Sequence, residues 1–150
     1  MLKILFVIIL FDLALGGKPR FKACDSTMGY VDAFSLIGLE VKNGKYILEK
    51  TGRAGVEVMF GVNQEVKGAY IVLQAFTQGF STPFPWPIMD MCGTEPGFCP
   101  FVVDDLFYYV DFLDLTLCPA NGEGIMQIKV LDKDSNAVIA CAELPITTAC

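Results

Sequence analysis

Three observations predict an all-β protein built as a two-sheet sandwich or barrel. Apolar and polar residues alternate with period two along much of the chain, as strands with one buried and one wet face require. Turn residues cut these runs at short, regular intervals, Asn43-Gly44 and Asp134-Ser135-Asn136 among them. No run carries a sustained 3.6-residue period with helix caps, so sheets must bury the apolar faces.

The first 16 of the 150 residues stand apart from this pattern. "MLKILFVIILFDLALG" has an early lysine, an apolar run, and Ala14 and Gly16 as small residues at −3 and −1 from a cut after Gly16. That is the layout of a secretory signal peptide, and it is too short to span a bilayer comfortably. The expected organisation is a cleaved leader over 1–16 and one domain over 17–150. No second apolar run approaches the ~18 residues a membrane helix needs, so a soluble mature chain is expected.

Within the domain, "RFKACDS" (20–26) and "YVDAFSLIGLEV" (30–41) read as strands around a turn at Met28-Gly29. "KNG" (42–44) is a turn and "KYILEK" (45–50) a strand. In "AGVEVMFGV" (54–62), Val56, Val58, Phe60 and Val62 share a face opposite Glu57 and form the best-marked inward row. "KGAYIVLQAFT" (67–77) is apolar almost throughout, which fits a strand covered on both sides or lying next to a bulge. "LFYYVDFLDLTL" (106–117), "GIMQIKVLDKD" (124–134) and "AVIACAELPITT" (137–148) complete the set. In 106–117 one face is Leu106/Tyr108/Val110/Phe112 and the other Phe107/Tyr109/Asp111/Leu113/Leu115. The aspartates argue for the first face inward.

Charge and composition exclude several classes. The net charge is −6, and it stays −6 without the leader, because Lys3 and Asp12 leave together (10 basic minus 16 acidic residues). Nucleic-acid binding demands a basic footprint, so no nucleic-acid partner is expected. Contact with an anionic membrane should be transient and should ease near the pI of about 4.5. Histidine is absent, which removes Ser-His, Cys-His and most metal-hydrolase schemes. Asp104, Asp105, Asp111 and Asp114 offer carboxylates without a nucleophile–base constellation. No enzyme activity, metal or cofactor is expected.

The six cysteines, at 24, 92, 99, 118, 141 and 150, are an even number in a chain with an export signal. Disulfides are therefore expected, with 15 pairings open. Twelve Phe, five Tyr and six Met are a heavy load for two small sheets. Either the core is simply bulky, or the sheets splay beyond the usual ~10 Å and leave an apolar cavity.

The segment "TPFPWPIMDMCGTEPGFCPF" (82–101) gathers five of the eight prolines and the single tryptophan. Proline removes a backbone donor and fixes φ, which suits an edge strand or a rigid loop. Alternation places Phe84 and Trp86 on one face of that extended segment.

Here the chain resembles the secreted ML-domain lipid-recognition family, closest to its Niemann–Pick type C sterol-carrier branch. "PFPWPIMDMC" followed by "GFCPF" is similar to that branch's Pro-Phe-Pro-x-Pro run with its two following cysteines. "FKACDSTMG" (21–29) and "IACAELPI" (139–146) are similar to its start and end. The resemblance implies an immunoglobulin-like β-sandwich of seven or eight strands with a lipid between the sheets. It also implies disulfides Cys24–Cys141 and Cys92–Cys99; a short-range pair between residues 30 and 50 is missing here. Cys118 and Cys150 have no counterparts in the branch, and their pairing follows by elimination. The resemblance places Phe84 at a pocket mouth, with Trp86 standing where the branch has an aliphatic residue. It favours Tyr109, Leu113 and Leu115 near the ligand, against the reading from the aspartates.

The function that follows is a secreted carrier for one apolar lipid, a sterol first. Its alternatives are a lipid-recognition immune co-receptor and a phospholipid- or fatty-acid-binding relative. A co-receptor needs basic residues at its rim, and Lys42, Lys45, Lys50 and Arg53 are the one dense group, read here as a solvated hairpin face. The expected partners are the lipid and a passing membrane or membrane protein, with the chain itself monomeric. The expected location is extracellular, with the endosomal–lysosomal lumen as a further address. No Asn-x-Ser/Thr sequon is present to anchor glycan-based sorting.

Overall fold

A computed structural model describes residues 17–50, 53–94 and 99–150, so the predicted leader lies outside the described residues. Among the described residues, eleven strand segments run in chain order. They are β1 (Lys22–Ala23), β2 (Gly29–Ile37), β3 (Val41–Lys42), β4 (Lys45–Glu49), β5 (Arg53–Val62) and β6 (Ala69–Thr77). After these come β7 (Phe84–Pro85), β8 (Met89–Asp90), β9 (Leu106–Asp114), β10 (Gly122–Asp132) and β11 (Val138–Ala149). One short helix, α1 (Met91–Thr94), follows β8. Four of the segments have only two residues, which leaves seven longer strands.

They form two sheets, as the sequence predicts. The larger runs β3-β4-β11-β10-β6-β7, with β1 added on β11 and β8 on β6; the smaller is β2-β5-β9. The long antiparallel ladders β6–β10–β11 and β2–β5–β9 carry most of the backbone pairing. β4 joins β11 in parallel. The predicted strand over 30–41 is broken: β2 ends at Ile37, and Gly38 takes a positive φ of 80° that β-carbon-bearing residues avoid. Asn43 and Gly44, with φ of 53° and 71°, close the β3–β4 hairpin. Positive φ at both central residues gives the turn whose twist matches the flanking strands.

The core is one apolar cluster fed by both sheets. Val56, Val58, Phe60 and Val62 of β5 are all buried, as their alternation predicts, and so are Phe34 and Leu36 of β2. Ile71, Leu73 and Ala75 come from β6, Met126, Ile128 and Val130 from β10, and Leu144 and Ile146 from β11. β6 does not turn out to be covered on both faces. Its residues alternate strictly between buried and half-buried, because the outward side chains Val72, Gln74 and Phe76 meet solvent.

Three disulfides tie the frame. Cys24–Cys141 joins the chain beside β1 to β11, with Cα atoms 5.0 Å apart. Cys92–Cys99 closes a short loop, and Cys118–Cys150 pins the C-terminus to the segment after β9.

Candidate functional site

The proline-rich segment lies along one edge of the larger sheet. Phe84 and Pro85 form β7 and pair with Ala75 and Gln74 of β6. The ladder continues one residue further, where the Trp86 N–H donates to the Leu73 carbonyl at 3.0 Å. Pro83, Pro85 and Pro87 lack a backbone N–H, so the segment accepts one neighbour and discourages a second.

Phe84 and Trp86 face the same way, as the alternation requires, with ring centroids 5.0 Å apart in an edge-on arrangement. Their environments differ. Phe84 is half-buried and lines a groove of about 430 Å3 together with Leu117, Pro119, Lys50 and the Cys118–Cys150 disulfide. Trp86 is 5% exposed and belongs to the core cluster. Of the two aromatics that alternation places on one face, Phe84 reaches the groove and Trp86 belongs to the core; Ile88, 66% exposed, is the large apolar side chain of this segment that meets solvent. Sequence reasoning did not find the opposite wall of the groove, Thr116 to Asn121. The available signal is the Cys118–Cys150 pair expected by elimination, which brings Cys150 and Leu117 to Phe84, Leu117 being 72% exposed.

The inward face of β9 is Phe107, Tyr109 and Leu113, followed by Leu115, all buried. Leu106, Tyr108, Val110 and Phe112 point outward, Phe112 with 63% of its surface exposed. Tyr109, Leu113 and Leu115 thus stand on the buried face, and the inward face read from the aspartates is overturned. The Tyr109 hydroxyl donates to Asp111 Oδ2 at 2.9 Å and lies 3.2 Å from Met89 Sδ, bridging β9 to β8 across the sandwich. Burial, and then the Asp111 carboxylate, push its pKa well above that of an ordinary tyrosine. On the outer face Glu57 accepts from Ser35 at 2.6 Å and from Tyr108 at 2.8 Å. Those two bonds hold its pKa below the usual carboxylate range.

The sequence points to nine candidate lipid-binding residues. Val56, Val58, Phe60, Val62, Tyr109, Leu113, Leu115 and Trp86 are buried together in one cluster, and Phe84 packs against it from the groove side. At one end Phe60, Phe101 and Phe107 fill the space between the sheets, with ring centroids 4.7 to 5.8 Å apart. The basic group does not gather at this edge as a whole. Lys42 and Lys45 stand on the β3–β4 hairpin, where Lys45 pairs with Glu123 at 2.6 Å; Lys50 alone reaches the groove. No cluster of three or more metal-ligating side chains occurs among the described residues.

An immunoglobulin-like two-sheet sandwich is the architecture of ML-domain proteins. The comparisons bear out the resemblance to that family. A dog (Canis lupus familiaris) protein, NPC intracellular cholesterol transporter 2, is 26% identical over 140 residues, which is 93% of this chain and 91% of that protein. The structure is similar to a Niemann–Pick type C2 protein from Japanese carpenter ant, with a TM-score of 0.69 and 16% identity. That match covers 86% of this chain and 98% of the other. Chicken MD-1, solved in complex with lipid IVa, matches with a TM-score of 0.52 and 17% identity over 85% of this chain and 86% of its own. No family model matches.

Proposed function

We propose that the chain is a non-enzymatic lipid carrier that holds one apolar lipid between its sheets, a sterol by preference, and passes it on. The observation that carries this reading is the nearly full-length similarity to a cholesterol transporter. The apolar lining supports it: Val56, Val58, Phe60, Tyr109, Leu113 and Leu115 offer only one hydroxyl between them, and that one is engaged. Phe84 is the entrance, since it touches both the groove and the core cluster. The chemistry is burial. Enclosing some 300–400 Å2 of lipid surface at ~25 cal/mol per Å2 yields several kcal/mol, before the sheets pay to part.

The carrier works as a secreted monomer, consistent with three disulfides, which persist in oxidising compartments. The test is transfer of a fluorescent sterol between donor and acceptor vesicles, followed by extraction of the lipid. Transfer of unaltered sterol is the expected result. Failure to bind sterol, phospholipid or fatty acid would remove the reading, and chemically altered lipid would point to an enzyme.

A further inference from the structure

We infer that Trp86 forms a polar subsite in the lipid pocket: its indole N–H donates a hydrogen bond to an oxygen of the bound lipid. The pocket would then select lipids bearing a hydroxyl or carbonyl over pure hydrocarbons of the same shape. This rests on the carrier reading above and narrows its ligand class.

Among the described residues, two buried side-chain polar atoms lack a hydrogen-bond partner, Trp86 Nε1 and Tyr46 Oη. Buried donors are nearly always paired, and one left unpaired costs free energy that a matching acceptor would recover. The two atoms are not equivalent. The Tyr46 hydroxyl stands near the Leu36 backbone, on β4, which β11, β10 and β6 separate from the proline-rich edge. An indole has a single donor, no acceptor, and no rotor to redirect it.

Trp86 also sits where a lipid would first arrive. Its ring centroid lies 5.0 Å from that of Phe84, which lines the groove. Its backbone is fixed by Pro85, Pro87 and the bond to Leu73, and its ring is packed into the core cluster. A lipid that displaces Phe84 would reach Trp86, the ring packed on it. The oxygen-bearing end would stay at the entrance and the hydrocarbon would go inward.

The experiment uses the purified chain, titrated with cholesterol and with 5α-cholestane, which keeps the ring skeleton and lacks the oxygen. A site that hydrogen-bonds its ligand discriminates against the analogue that leaves the donor unpaired. The expected preference for cholesterol is roughly 5- to 50-fold. Trp86→Phe keeps an aromatic ring without the donor and should bind the two equally. Because Trp86 is the only tryptophan, its emission gives a second readout in the unmutated chain, a red shift with cholesterol and none with cholestane. That readout decides the matter if Trp86→Phe fails to fold. Equal binding of both lipids by the unmutated chain, or a preference that survives Trp86→Phe, would overturn the subsite and leave the carrier standing. If neither lipid binds, the subsite and the sterol preference both fall, and the carrier reading falls only if phospholipid and fatty acid are refused too.

Discussion

Phe84 and Phe60 are both phenylalanines on the path a lipid would take, yet their surroundings assign them different work. Phe60 is fully buried and packs against Phe101 and Phe107 at 5.8 and 5.7 Å. Truncating such a residue removes its transfer free energy and leaves a cavity, about 3–5 kcal/mol in all. For a domain of this size that lowers the melting temperature by roughly 10–20 °C. Phe84 is half-buried and has one aromatic neighbour, Trp86. Phe84→Ala should therefore cost the fold only about 1–2 kcal/mol, less than the full burial of a phenyl group. Binding should move the other way round. If Phe84 closes over the lipid, its loss removes about 1–3 kcal/mol of contact, and affinity falls roughly 5- to 150-fold. Thermal unfolding and sterol titration on the same samples measure both quantities. A Phe84→Ala protein that melts as low as Phe60→Ala and still binds sterol normally would show Phe84 to be core, and would remove the entrance.

Three further outcomes are expected. Replacing Cys24 and Cys141 together by Ser should cost about 4–5 kcal/mol in chemical denaturation, because the bridge spans 117 residues. The Cys92–Cys99 pair, separated by 7, should cost about 2–3 kcal/mol in the same chain-entropy estimate; equal losses would refute that ordering. Gly124→Ala should destabilise the β6–β10 ladder by more than about 2 kcal/mol, since the new Cβ would clash with the Phe76 carbonyl oxygen. A variant that melts like the parent would sink that expectation. Glu57, Asp114 and Asp132 have pKa values held below their ordinary 4.5 and 3.8, by hydrogen bonds from Ser35, Thr116 and Ser135 respectively. The stability they contribute is complete above the ordinary carboxylate range and is lost as pH falls through it toward their native values. Melting temperature should be flat from about pH 7 to 5 and fall below about pH 4, gently, because these groups are largely exposed. A fall already between pH 7 and 5 would contradict this.

Most of the sandwich was legible because strand faces write themselves into alternation. The row Val56, Val58, Phe60, Val62 is read correctly from period two alone, and Asn43-Gly44 names its own turn. What sequence could not supply was the pairing order. Nothing in "KYILEK" announces that β4 runs parallel to β11, since that contact joins residues about a hundred positions apart. The groove was half legible. Proline marks the edge that carries Phe84, but the opposite wall comes from Thr116 to Asn121, a stretch with no periodicity to read.

β9 shows how charge misleads when its local partners are ignored. Asp111 looks like a solvent-facing residue, and on that basis its face would be the outer one. In the structure Asp111 is only half-exposed, and it accepts from the Tyr109 hydroxyl and from the backbone N–H of Phe112. Two donors let a carboxylate stand at the margin of an apolar face without an orphaned charge. The inward face can then carry Phe107, Tyr109 and Leu113. The opposite row is left outside, with Tyr108 donating to Glu57 of the neighbouring strand. Carboxylates therefore weigh against a buried face only when no donor lies within one or two residues. In β9 the donor on the same face, Tyr109, is two residues away, and the bond that keeps Asp111 at that margin also fixes the tyrosine beside Met89 at the edge where a lipid would enter.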